Sequence, residues 1–339
     1  MKKLAKTLLT LAVTAGLALS VSAFSACGDG REVLIDGDYS AQATETQLTT
    51  LREYASKTSD DLLGDSSASG WSYNARYNAS GDVVAGIEMS AEGQTVGMDM
   101  GMNVNYDHVI SLANSETGPS VRGSGNMNYN MTVDMAIPGM EAQDVSISLD
   151  GASYNDENYF YLDGAFSMSG GGTDYSQANK IKLDYSSVFG DIFQTGGSDA
   201  FVDITPALEA LETVGAAAYV DESSSFKVKI SLSAQGWAEL YGEAIEEIAG
   251  ALGSDLGLEV IADNTDFGHC DIYLDFDKES GVLLGYGTSV DASFGYSATA
   301  NGASVSVTYD MDIDSWFLST DSAAGELPSD LDDYEYVGM

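Results

Sequence analysis

Long stretches of this chain alternate strictly between apolar and polar positions. "TVGMDMGMNVNYDHVI" sets Val96, Met98, Met100, Met102, Val104, Tyr106 and Ile110 against Thr95, Gly97, Asp99, Gly101, Asn103, Asn105 and Asp107. "GNMNYNMTVDMAI" repeats this with Met127, Tyr129, Met131, Val133, Met135 and Ile137, and "SVSVTYDMDID" with Val305, Val307, Tyr309, Met311 and Ile313. A period of two predicts antiparallel strands, buried on one face and wet on the other. Turn residues speak to pairing independently. Asn301-Gly302 predicts a two-residue hairpin that places Phe294 opposite Tyr309, Ala292 opposite Met311 and Val290 opposite Ile313. A Glu92-Gly93 turn places Met89 opposite Val96 and Ile87 opposite Met98. Ala79-Ser80-Gly81 predicts a three-residue turn pairing Tyr77 with Val83 and Tyr73 with Ile87. In all three the apolar stripes share one face, so turns and stripes agree on register.

The same reasoning predicts strands near 71–78, 82–91, 95–112, 122–137, 144–150, 158–168, 180–185, 226–233, 270–277, 282–299 and 303–318. Glycines such as Gly97, Gly101, Gly285, Gly287 and Gly295 fall on the polar face of the long strands, a pattern that suggests curvature. Helical spacing appears in three places. One helix is predicted over about 43–63 with Leu48, Leu51, Ala55 and Leu62 on a stripe, and one opens at Thr205-Pro206. A third carries Trp237, Leu240, Tyr241, Ala244, Ile245, Ile248 and Leu252. The expected fold is mainly β (α+β): a curved, unclosed antiparallel half-barrel of about eleven strands, with about three helices over one face.

The N-terminus changes the picture. Lys2, Lys3 and Lys6 precede an apolar run from Leu8 to Val21 and then small residues up to Cys27, the layout of a secretory signal peptide. Phe24, Ser25, Ala26 and Cys27 resemble the lipobox of bacterial lipoproteins, with Phe24 in place of the usual leucine. The resemblance implies cleavage before Cys27, diacylation of its sulfur and anchoring at the extracytoplasmic face of the cell membrane; two acyl chains suffice for stable anchoring. The other reading is an ordinary signal peptidase site with an incidental cysteine. With Cys27 acylated, Cys270 has no partner within the chain, so stability must come from a core. The expected organisation is a signal peptide over 1–26, an acidic tether over 27–44, one half-barrel domain over 45–320 and an acidic tail over 321–339.

The formal net charge is −40, and removing the three leader lysines takes it to −43. That excludes nucleic acid and anionic lipid surfaces as electrostatic partners. The element order, including "ENYFYLDG", "FKVKISLS" leading into the Trp237 helix, and "CDIYLDFDKESGVLLGYG", resembles the LolA/LppX-LprG group of periplasmic and lipid-anchored carriers. That resemblance spans roughly 40–318 and implies a space between half-barrel and helices that takes acyl chains.

Catalysis finds little support. There are two histidines and no G-x-S-x-G elbow. His108 lies in line with Tyr106 and Ile110, the setting of a satisfied core histidine. His269 and Cys270 are adjacent on a strand, so they point to opposite faces and make a poor metal pair. "LDFDKESGVLLGY" has Ser280 and Tyr286 where a calcium loop needs glycine and glutamate, so a strand-to-turn reading is preferred. "SGGGTD" from Ser169 reads as a loop. No enzyme activity and no cofactor are expected. Met98, Met100, Met102, Met127, Tyr129, Met131, Met135 and Met311 are the candidate ligand-binding residues, because methionine adapts to varied apolar partners. They fill an ill-shaped core equally well. The two functions this leaves open are a carrier of a lipid or other hydrophobic molecule and a structural or adhesive cell-envelope protein with a filled core.

Overall fold

The computed structural model describes residues 34–57, 70–91, 94–115, 118–136, 143–170, 173–184, 211, 216–233, 261–300 and 303–336. They form one sheet of thirteen strands: β1 (Ala41–Gln42), β2 (Ser72–Ala91), β3 (Gln94–Ser115), β4 (Gly118–Ala136), β5 (Gln143–Asn155), β6 (Tyr159–Gly170), β7 (Thr173–Asp184), β8 (Ala217–Asp221), β9 (Phe226–Leu232), β10 (Ile261–Phe276), β11 (Leu283–Ala300), β12 (Ala303–Ser319) and β13 (Glu335–Tyr336). The order is β1-β8-β9-β10-β11-β12-β2-β3-β4-β5-β6-β7-β13, a partial ring and not a closed barrel. Each outermost strand is two residues long, and β13 pairs only with Ile181 and Lys182 of the twelve-residue β7.

The hairpin register read from the turns holds over great length. Tyr296 faces Val307, Phe294 faces Tyr309 and Val290 faces Ile313. From Ala91–Gln94 to Ser72–Ala113, β2 and β3 pair without a shift. At about 3.4 Å per residue, the 22 residues of β3 reach roughly 70 Å.

The turn expected at Ala79-Ser80-Gly81 does not form. Tyr77 faces His108 and Phe317, not Val83, because β2 runs straight through as a single strand with continuous partners on both sides. Gly81 serves close approach instead of reversal: a Cβ there would lie 2.8 Å from the Asp312 carbonyl oxygen and 2.9 Å from Ile313 Cγ1. The two expected strands are therefore one. Conversely, β1, β8 and β13 were not expected, and β7 and β10 begin well before the expected 180 and 270.

A count of three helices is not supported. The described residues hold one α-helix, α1 (Glu45–Ala55); the expected Thr205 and Trp237 helices lie outside them except for helical Leu211. Helix α1 starts where Thr44 and Gln47 cap each other. The Thr44 amide donates to Gln47 Oε1 at 2.8 Å and the Gln47 amide to Thr44 Oγ1 at 3.4 Å. Leu51 is 1 % exposed, worth about 1.5–3 kcal/mol of burial, and Leu48 and Tyr54 pack beside it.

The face that α1 covers, here called inner, carries the main core. Tyr73, Ala75, Ile110, Leu112, Val228, Ile230, Ile272, Leu274, Ile313 and Phe317 all join it. A smaller cluster lies on the outer face, where Leu34 and Ile35 cover Tyr273 and Trp316. Leu34 is fully buried, so the chain is packed against the sheet from there on, within the segment expected as a tether. It then rounds the β1 edge, where Ala41 pairs with Val220, and enters α1.

Residues after β12 cross the outer face. The Thr320 amide bonds the Asn74 carbonyl, the Ala324 amide bonds Ser111 Oγ and the Gly325 amide bonds Ser124 Oγ. Asp330 pairs with Lys180, Tyr334 is buried edge-on against Tyr161, and Glu335 and Tyr336 run parallel to β7.

Candidate functional site

All eight candidate residues occupy inner positions on three strands, β3, β4 and β12, with β2 lying between β12 and β3. Met98 pairs with Met135, Met102 with Met131, Val104 with Tyr129 and Tyr106 with Met127 across β3 and β4. Met100 faces Ala85, and Met311 faces Val83 on the β12 side of β2. Because a strand's side chains alternate, unbroken register gathers every second residue onto this surface.

Burial divides the eight. Met131 and Met311 are buried, at 6 % and 9 % exposure. Met100 and Met102 are half-buried against the main core, and Met127 against the Tyr106–Phe160–Leu162 cluster. Met98, Met135 and Tyr129 are half-buried further along, where the Tyr129 hydroxyl donates to Met131 Sδ at 3.4 Å. The apolar surface continues sideways through Ile147, Leu149 and Phe166 to Met168 and Tyr175, which are 38 % and 44 % exposed. Met168 and Tyr175 were not among the expected residues; Met168 ends the strand expected over 158–168, and the shortness of the strand expected near 180–185 hid the register of Tyr175.

Charge is sorted by face with the same strictness. Every aspartate, glutamate, lysine and arginine of β2 to β12 occupies an outer register position. Arg76 and Asp107 form a two-point pair at 2.8 and 2.9 Å there, and Lys229 meets Asp271 at 3.3 Å. The Arg76 guanidinium helps hold Asp107 below the usual carboxylate range despite partial burial. Some acids oppose one another directly: Asp291, Asp312 and Asp82 form one row across three strands, and Asp99, Asp134 and Asp144 another. Among the described residues no group of three His, Cys, Asp or Glu is arranged to hold a metal.

The only titratable side chain other than tyrosine and cysteine on the inner positions of β2 to β12 is His108, 1 % exposed. Its neighbour in the row is Gly125 on β4, then Ser153 on β5. With glycine at 123 and 125 the imidazole lies across β4 and reaches β5: Nδ1 is 3.1 Å from Ser153 Oγ and Nε2 is 2.9 Å from Asn155 Oδ1. A Cβ on Gly123 would sit 2.2 Å from Nε2. Asn155 Oδ1 is an acceptor, so Nε2 carries the proton and the Ser153 hydroxyl donates to Nδ1. Tyr106 stacks on the ring at 5.1 Å. Burial lowers the His108 pKa to about 4, keeping it neutral. The core role expected for His108 is met, while its Ser153 and Asn155 partners were not foreseen; glycines at two successive inner positions were the available signal.

The remaining candidates fall apart as chemistry. Cys270 is buried in the core at 1 % exposure, with burial pushing its thiol up to about 12, while His269 faces the outer side with Nε2 3.2 Å from Ser289 Oγ. The Asp277–Val282 segment is a turn, closed by the Ser280 amide on Asp277 Oδ1 and by Gly281 at φ +65°. Gly170 and Thr173 close the β6–β7 hairpin. Cys27 lies outside the described residues.

No family model matches this chain, and no curated protein does. Among solved structures it is similar to a DUF1329 family protein from Desulfovibrio piger, at 7 % identity over 82 % of this chain and 95 % of that one, with a TM-score of 0.16. A beta-barrel-like DUF1849 protein from Brucella abortus follows at 6 % identity, 69 % and 97 % coverage and a TM-score of 0.15. The translocator domain of the autotransporter NalP from Neisseria meningitidis gives 10 % identity, 71 % and 88 % coverage and a TM-score of 0.15. At such scores none carries an argument about this chain.

Proposed function

We propose that the protein binds a lipid or other hydrophobic molecule on the inner face of its sheet, without chemistry, while held by a lipid on Cys27 at the extracytoplasmic side of the cell membrane. The observation that carries this reading is the charge-free inner face, whose methionines pass from buried to half-buried along the strands. A face meant only for core would be filled by residues with defined rotamers; methionine packs loosely and accepts varied shapes. Met131 and Met311 form the floor of the site, and Met98, Met100, Met102, Met127, Tyr129 and Met135 its adaptable lining. The lipobox likeness of Phe24–Cys27 supports the anchor.

The test is titration of delipidated protein with N-phenyl-1-naphthylamine, an uncharged dye that brightens in apolar surroundings. Saturable binding that is lost on adding excess lipid supports the reading. Folded protein that leaves the dye dark supports the filled-core envelope protein, a reading favoured by the burial of Met131 and Met311.

A further inference from the structure

The distribution of cations narrows the ligand class. Removing the three leader lysines leaves ten of the thirteen Lys and Arg. Arg76, Arg122, Lys180, Lys182, Lys227 and Lys229 lie at outer register positions. Of these, Arg76, Lys180 and Lys229 are engaged by carboxylates. Lys278 bonds the Glu222 carbonyl, and Lys57 bonds the Ser280 and Gly281 carbonyls at 2.7 and 3.2 Å, in the turn at the end of the sheet away from the Met98–Met135 pair. Arg52 is on α1, exposed, and Arg31 precedes the described residues. The stretches 58–69, 185–215 and 234–260 contain no lysine or arginine at all. Among the described residues, no lysine or arginine faces the methionine surface.

An anionic head group brought to this surface would lose hydration without a counter-charge and would meet the repulsive field of a chain carrying 53 acids. An uncharged lipid meets neither penalty.

We propose that the inner face selects uncharged lipids and discriminates against lipid anions. This rests on the hydrophobic-ligand reading above. The test compares two probes with identical labelled chains, NBD-diacylglycerol and NBD-phosphatidic acid, on delipidated wild-type protein at neutral pH. The neutral ester is expected to bind at least about tenfold more tightly. Equal affinities would overturn the charge discrimination while leaving a hydrophobic carrier in place. If the naphthylamine dye also fails, both readings fall together. One variant reads the cause. Met135→Lys supplies a cation at the half-buried end and is expected to raise phosphatidic acid affinity severalfold; no gain would contradict the charge argument.

Discussion

The base and the distal end of the inner face are built from the same strands, yet they differ in how completely they exclude water. At the base, Ile230, Leu274, Phe276 and Leu283 are 0 % exposed under α1 and its neighbours. Ten to twelve residues along the strands from the row of Leu274, Met98, Val96, Met89 and Met135 are only half-buried, although the alternation that places them is as regular as at the base. Binary pattern thus sets which face a residue occupies, while the elements packed on that face decide whether it becomes core. The composition follows this division: branched and aromatic residues where packing is tight, methionine where it is loose.

The largest effect that sharpens this contrast is a truncation at each end. Leu274→Ala should cost about 2–5 kcal/mol in urea denaturation, since a fully buried leucine leaves a cavity behind. Met98→Ala should cost under about 1 kcal/mol by the same measurement, because its surroundings are already partly solvent. Similar losses at both sites would erase the distinction.

The next effect concerns pH and belongs to the base, where His108 lies in the row of Leu274. His108 titrates near 6.5 when unfolded and, through burial, near 4 when folded, with the Asn155 hydrogen bond and the Asp107 charge opposing that fall. The unfolded chain therefore binds more protons between these values. The stability lost is nil above 6.5 and grows as pH falls toward 4, reaching about 3 kcal/mol. His108→Gln should flatten this part of the pH–stability curve in chemical denaturation, and an unchanged curve would remove His108 as its source.

Much of the architecture was legible in the sequence because alternation and turn chemistry are local. Asn301-Gly302 and Glu92-Gly93 each determined a register that holds for more than fifteen pairs. The Ala79-Ser80-Gly81 reading failed because glycine serves turns and close approaches alike, and only the neighbouring Ile313 distinguishes them. The docking of residues 320–336 was hidden for a related reason. Its contacts with Ser111, Ser124 and Lys180 join positions far apart in sequence, through backbone amides and exposed polar groups that carry no pattern. Of the candidate site, the methionine positions were legible and their graded burial was not, since burial depends on what lies opposite.

Met131→Trp probes the midpoint between base and distal end. Met131 is 6 % exposed against Met102 and Ile147, so the larger ring should overpack and cost about 1–3 kcal/mol, read as a lower Tm. The smallest expected effect lies on the opposite face. Asp312→Asn relieves two directly opposed carboxylates, Asp291 and Asp82, and should stabilise by about 0.5 kcal/mol at low salt, a gain that fades as salt is raised. A loss of stability in that variant would mean that the acid row is held by something other than solvent.

The central claim is that the distal methionines form a binding surface separable from the core. It is tested most directly by pairing dye titration with thermal melting for the double variant Met98→Asp, Met135→Asp, whose two sites face each other across β3 and β4. The account predicts saturable dye binding by the wild type, weakened by about tenfold or more in the variant, with Tm shifted by no more than a few degrees. Dye binding undiminished in a folded variant, or absent from folded wild type, would contradict it.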